Sequence, residues 1–240
     1  MICIAKQIDC ILLNKPSLKK LNRDALLLIP VLGALLFIGI YFIATLYYPG
    51  GSQIDANSTG FSWADNYWCN LLNAKAMNGK INPASPIAGS GMIVISITLV
   101  MFWYLLPKYI RYGKYEAIAI QGSGFLAMLV AAFLSSAYHD TVIYTATFFG
   151  LIALFGTFLG LFRAQWHFLL GFGVFNLLVT VIDLYIYTTK DYLVILPIVQ
   201  KINFLFFLIW IMMVNVRIYK SQIPNITPSL VEGPNPKSHD

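Results

Sequence analysis

The sequence predicts an all-α integral membrane protein: six transmembrane helices in an antiparallel bundle, with a long first external loop that contains a short interfacial helix. Three observations predict this. Of the 240 residues, 58% are apolar and only 11% are charged, too little polar surface to coat a soluble domain of this size. Apolar runs of about twenty residues, the length that crosses a hydrocarbon core, recur along nearly the whole chain. Lys and Arg sit in the short segments between those runs rather than on one basic face, so the net charge of +6 is a topology signal and argues against a nucleic-acid partner.

The spans are predicted at 25–48, 86–106, 116–137, 141–162, 167–188 and 193–219. The first follows Lys15, Lys19, Lys20 and Arg23 as a signal peptide would. It is too long for a signal h-region and lacks a small-residue cleavage site, so it reads as a retained anchor. Residues 25–220 then form one membrane domain, between a cytoplasmic N-terminal segment (1–24) and a mobile cytoplasmic tail (221–240) with prolines at 224, 228, 234 and 236. With the N-terminus inside, twelve Lys and Arg fall on the cytoplasmic side, against Lys75, Lys80 and Lys190 outside. This positive-inside bias places both termini in the cytoplasm, across a plasma or inner membrane.

Most connections are short and imply antiparallel hairpins. The exception is the external loop that ends near Pro86. Within it Ser62 and Asp65 are spaced as a helix-capping pair, and Ala64, Tyr67, Trp68, Leu71 and Leu72 follow one helical face. Trp63, Tyr67 and Trp68 would anchor that helix at the interface. Asn78-Gly79 and Asn82-Pro83 turn the chain, and Ser85-Pro86 reads as N-cap and first-turn proline of the second span.

Strongly polar groups inside spans are costly and therefore informative. Asn176, Thr180, Asp183 and Tyr187 are spaced by four, three and four residues, which puts them on one face of the fifth span. Asp183 and Lys201 each lie nine residues from Tyr192, at equal depth on adjacent helices, and are expected to form an ion pair; Asn203 lies beside them. At the turn between spans three and four, Ser135 or Ser136, His139, and Asp140 or Asp183 are the candidate nucleophile, base and orienter of a hydrolase. No glycine-rich oxyanion loop surrounds Ser135 or Ser136. Three histidines and three scattered cysteines (Cys3, Cys10 and Cys69) predict no metal site, haem or other cofactor. Gly156 and Gly160 form a small-residue face for helix packing.

The stretch Phe61-Ser62, Asn66-Tyr67-Trp68-Cys69-Asn70-Leu71-Leu72 and Asn78-Gly79-Lys80-Ile81-Asn82-Pro83-Ala84-Ser85 resembles the first external loop of multi-pass membrane proteins akin to the DRAM, Frag and Sfk group. That resemblance implies the six-span layout. The family loop commonly carries a serine followed by Asp-Leu-Gly, where this chain has Cys69, Asn70, Leu71 and Leu72.

These features together predict an outer-half polar cavity, roofed by the loop helix, that binds a lipid headgroup or small ligand or packs against a partner membrane subunit. Membrane lipids are the expected partners. The alternatives are the outer-surface hydrolase and a small transporter or proton relay through Asp183, the latter disfavoured by the absence of an internal repeat. In a cysteine-free background, cysteines placed in the first loop should react with an impermeant maleimide from outside, while those at Lys108 or Arg111 should not. External labelling at Lys108 would reverse the topology.

Overall fold

The computed structural model describes residues 25–133 and 139–222, and of His139 the backbone alone. Every regular element among these residues is helical. A 3₁₀ turn, Leu26–Leu28, leads into α1, Ile29–Leu46. The long loop follows, then α2, Ala84–Tyr109; α3, Lys114–Ala131; α4, His139–Arg163; α5, His167–Thr189; and α6, Leu196–Gln222. Successive helices run in opposite directions. Each packs on its neighbour in sequence, α6 returns to α1, and α2 also touches α6, which closes the six into a ring.

Five of these helices are long and apolar enough to cross a membrane: Leu26–Leu46, Ala84–Tyr109, Asp140–Arg163, His167–Thr189 and Leu196–Gln222. The protein is therefore a multi-pass α-helical membrane protein by the length and composition of its helices. The predicted third span meets the observed helix only in part. α3 has 18 residues, and its opening turns spend Lys114, Glu116 and Gln121 on polar positions. Part of the predicted span, 134–138, lies outside the described residues.

The side chains are apolar on both faces of the ring, as helices surrounded by lipid require. Leu32, Leu36, Ile93, Phe148 and Phe168 face outward, while Phe37, Phe102, Leu208 and Trp210 fill the centre. Trp210 is the hub: its ring meets Phe102, Phe158 and Phe207, and its indole N–H donates to Leu169 O at 2.7 Å. Buried hydroxyls and amides bond to carbonyls of their own helix, Thr98 to Val94 O, Thr157 to Ala153 O and Asn215 to Ile211 O. This is how polar side chains are satisfied where no water competes.

Small residues let the helices approach. Gly156 seats Ile120, and Gly160 seats Tyr112, whose hydroxyl donates to Gly156 O at 3.0 Å; the expected Gly156/Gly160 face thus packs α4 against α3 and its lead-in. The same two helices are joined at the end away from the loop by a bidentate pair, Arg163 to Glu116, at 2.6 and 2.9 Å. Gly124 on α3 faces the Trp103 indole of α2, where an added Cβ would lie 2.6 Å from the ring, whereas Gly122 has open space. Gly124→Ala should therefore destabilise the protein by about 1–3 kcal/mol through overpacking, while Gly122→Ala should be neutral or stabilise by up to about 1 kcal/mol through helix propensity. Thermal unfolding in detergent checks both, and equal effects would contradict the α2–α3 packing.

Candidate functional site

The loop, residues 47–83, is a folded cap on one end of the ring, built largely from asparagine amides. Asn66 is fully buried; it donates to Gly51 O at 2.8 Å and accepts from Ser62 N at 2.9 Å. Asn70 Oδ1 accepts from Tyr67 N and Gln53 Nε2. Asn82 Nδ2 donates to Asn73 O at 2.8 Å and lies near Leu71 O and Asn70 O, while its Oδ1 accepts from Ala84 N. An amide that both donates and accepts can cross-link loop backbone without burying charge. Glycines complete the cap: Gly50 and Gly51 have φ of +126° and +83° and lie against Ser58 O and Asn78 N, where no Cβ fits.

The predicted interfacial helix takes a different form. Ser62 and Asp65 do make the expected capping contacts, Ser62 Oγ donating to Asp65 Oδ2 at 2.7 Å and accepting from Asp65 N at 3.2 Å. They close only a turn, and the helical part is a 3₁₀ helix, Trp68–Leu72. Trp68 does not anchor at the interface. It points into the ring against Phe37, Tyr41 and Phe204, because the aromatic cluster there offers it more apolar contact. Nor does Ser85 cap α2; its hydroxyl donates to Leu72 O at 2.8 Å, and the cap position is Pro83.

Lys201 and Asp183 are not partners, contrary to the expectation from their equal depth. The Lys201 ammonium donates to Asn66 O in the cap at 2.5 Å and to Pro197 O at 2.7 Å, with the Phe61 ring 5.8 Å away. The helix faces decide this: Lys201 turns toward α1 and the cap, and Asn203, two residues on, turns toward α5. Asn203 Nδ2 lies 2.9 Å from Asp183 Oδ2 and 3.1 Å from Thr180 Oγ1.

Lys201 takes no part in the hydrogen bonds made by Asn176, Thr180, Asp183 and Tyr187 on α5. Asn176 is buried and donates to Phe172 O at 2.8 Å; Thr180 donates to Asn176 O at 2.9 Å; and about two turns farther toward the cap the Tyr187 hydroxyl donates to Asp140 Oδ1 at 2.8 Å. Of the proposed hydrolase residues, only the candidate orienters are placed, Asp140 in the first turn of α4 and Asp183 on α5. Ser135, Ser136 and the His139 side chain lie outside the described residues.

Two cavities bear on the polar cavity expected beneath the loop. One of about 250 Å³ lies inside the ring, where α4, α5 and α6 face α2 and α3, lined by Trp103, Leu151, Asn176, Leu177, Thr180 and Phe207 among others. Asn176 Oδ1 and Trp103 Nε1 are buried there without a hydrogen-bond partner, and Asp183 Oδ1 is likewise unpartnered above it. A second, of about 260 Å³, lies directly under the cap, roofed by Trp68, Cys69 and Leu72. Burial pushes the Cys69 thiol pKa up, which disfavours the reactive thiolate. The expected polar chamber under the roof is thus an apolar one, and the polar stripe belongs to the neighbouring cleft. No group of three or more acidic, histidine or cysteine side chains among the described residues is arranged to hold a metal.

Two outcomes follow for variants. Lys201→Met leaves Asn66 O without its cation and should cost about 1–3 kcal/mol, and the loosened cap should raise the alkylation rate of Cys69 by about 10-fold or more. Losses from Lys201→Met and Asp183→Asn should add within about 0.5 kcal/mol in the double variant; strong coupling in that cycle would restore the ion pair.

No protein-family model, curated protein or solved structure matches the chain.

Proposed function

We propose that this is a six-span membrane protein, both termini cytoplasmic, that binds a single-chain amphiphile in the cleft between α4, α5 and α6. Three things support the topology: the twelve-to-three distribution of Lys and Arg, the position of α3 between α2 and α4, and a length of 18 residues, about 27 Å at the helical rise. Kinship with the DRAM, Frag and Sfk group is part of the same proposal and rests on the loop motifs at 61–85.

One observation carries the binding reading: Thr180 both lines the apolar cavity and begins the hydrogen-bonded series through Asn203 to Asp183. An apolar chamber therefore runs into a polar mouth within one helical turn. Such continuity suits a ligand with an alkyl chain and a hydrogen-bonding head. The unpartnered atoms define the head. Asp183 Oδ1 and Asn176 Oδ1 accept and Trp103 Nε1 donates, so the ligand must bring donors and an acceptor, as a hydroxyl or a neutral amine does; a carboxylate would meet Asp183 and Asp140 unfavourably. Leaving buried acceptors unpaired costs about 1–3 kcal/mol each, which a donor-bearing head recovers.

Photoreactive decyl probes carrying an amine, a hydroxyl or a carboxylate test this in nanodiscs. The amine and hydroxyl probes should label Leu151 and Leu177, the carboxylate probe should label them least, and Leu177→Trp, which fills the chamber, should abolish labelling at Leu151. Labelling confined to outward-facing positions such as Leu178 and Val181, and indifferent to Leu177→Trp, would mean ordinary lipid contact and would end this reading.

A further inference from the structure

At the opposite end of the ring from the cap, the α5 start and the α6 end border an outward-open chamber of about 700 Å³. Its walls have two characters. Arg217, Lys220 and His167 lie at the membrane-boundary end, with Trp166, while Phe168 and Met212 represent an apolar floor that continues into the span. Arg217 and Lys220 are exposed, and neither forms a salt bridge with a described acidic residue. Arg217 instead lies over the Trp166 ring at 5.5 Å, which holds the guanidinium at the rim while leaving its N–H groups available. His167 is engaged with Gln165 Oε1 at 3.0 Å.

Other cations lie on this membrane face, among them Arg111 and Lys114, which are exposed. Arg163 is neutralised by the Glu116 carboxylate, and Lys108 lies 3.5 Å from the Tyr104 ring centroid on its own helix. Among the described residues, two cationic side chains border a chamber with an apolar floor at the α5–α6 gap. The first turn of α5 opens into the same chamber with no side-chain cap, so its backbone N–H groups add to the positive potential.

We propose that this chamber is a binding site for an anionic phospholipid, with the phosphate against Arg217 and Lys220 and an acyl chain along Phe168 and Met212. A soluble phosphate would use the cations but leave the floor empty. A zwitterionic lipid would use the floor but bring its own cation to the rim. The anionic lipid is the one class that satisfies both walls, and basic pockets between spanning helices are suited to such headgroups. This site is separate from the α4–α6 cleft, and the proposal stands without that reading.

The test is native mass spectrometry of the full chain, released from mixed phosphatidylglycerol and phosphatidylcholine, with the ratio of the two retained lipids as readout. At about 1 kcal/mol per basic side chain, two cations give a preference for phosphatidylglycerol of about 30-fold. Arg217→Gln with Lys220→Gln should bring the ratio close to one, whereas Lys108→Gln, on the same face but outside the chamber, should leave it unchanged. If the double variant does not fold, Lys220→Gln alone should lower the ratio by about 5-fold. Equal retention of both lipids by the wild type would overturn the proposal, and so would an equal fall with Lys108→Gln, which would indicate diffuse surface charge. Displacement of phosphatidylglycerol by inorganic phosphate alone would also overturn it, by assigning the site to a free anion.

Discussion

The ammonium of Lys201 ties the cap to the bundle, and much of the architecture follows from where it is held. A cation removed from water costs several kcal/mol unless acceptors are presented to it. Here the acceptors are two backbone carbonyls, one from the first turn of α6 and one from Asn66 in the loop. Asn66 can offer its carbonyl only because its own side chain is fixed between Gly51 and Ser62. The lysine therefore depends on a loop that is already folded, and the loop depends on the lysine for its link to α6. Trp68 sits in the aromatic cluster beside this tie, which seals the end of the ring by packing as well as by hydrogen bonding.

The two ends of the molecule handle polarity by different means. The cap uses neutral amides, which satisfy many backbone groups at small desolvation cost. The far end uses charge: a bidentate Arg163–Glu116 pair between α3 and α4, and cations over the Tyr104 and Trp166 rings. Long basic side chains suit that boundary because their stems lie along apolar surface while the head reaches water. Between the ends, the bundle is held by aromatic packing around Trp210 and by glycine contacts, as expected where lipid provides no hydrophobic drive for helices to associate.

The α5–α6 seam breaks that pattern. Elsewhere in the core Thr98, Thr157 and Asn215 return their hydrogen bonds to their own helices, but Thr180, Asp183 and Asn203 bond to one another across helices and leave an acceptor over at Asp183. A structural register device would be expected to consume its own polar atoms. Surplus acceptors beside an apolar chamber are what the proposed binding reading rests on.

Much of the architecture was legible in the sequence because lipid imposes a simple rule. A helix must be about twenty apolar residues long, and its backbone must satisfy itself, so the five helices of spanning length follow from hydropathy with small errors at their ends. The third predicted span was harder to read because Lys114, Glu116 and Gln121 dilute its apolar run. The α5 stripe was legible too, since spacing by three and four residues determines which side chains share a face. What spacing cannot determine is which neighbour that face meets. Asp183 and Lys201 have matching depths in the sequence, yet a two-residue offset on α6 turns Lys201 to the cap and Asn203 to Asp183. The cap itself depended on contacts between residues far apart in the chain, such as Asn66 with Lys201, and no local pattern encodes those. Sequence alone determined that the chain is a helical membrane protein and which residues lie on each helical face; only the tertiary structure decided which faces meet, because helix rotation and loop folding are set by long-range packing and hydrogen bonding.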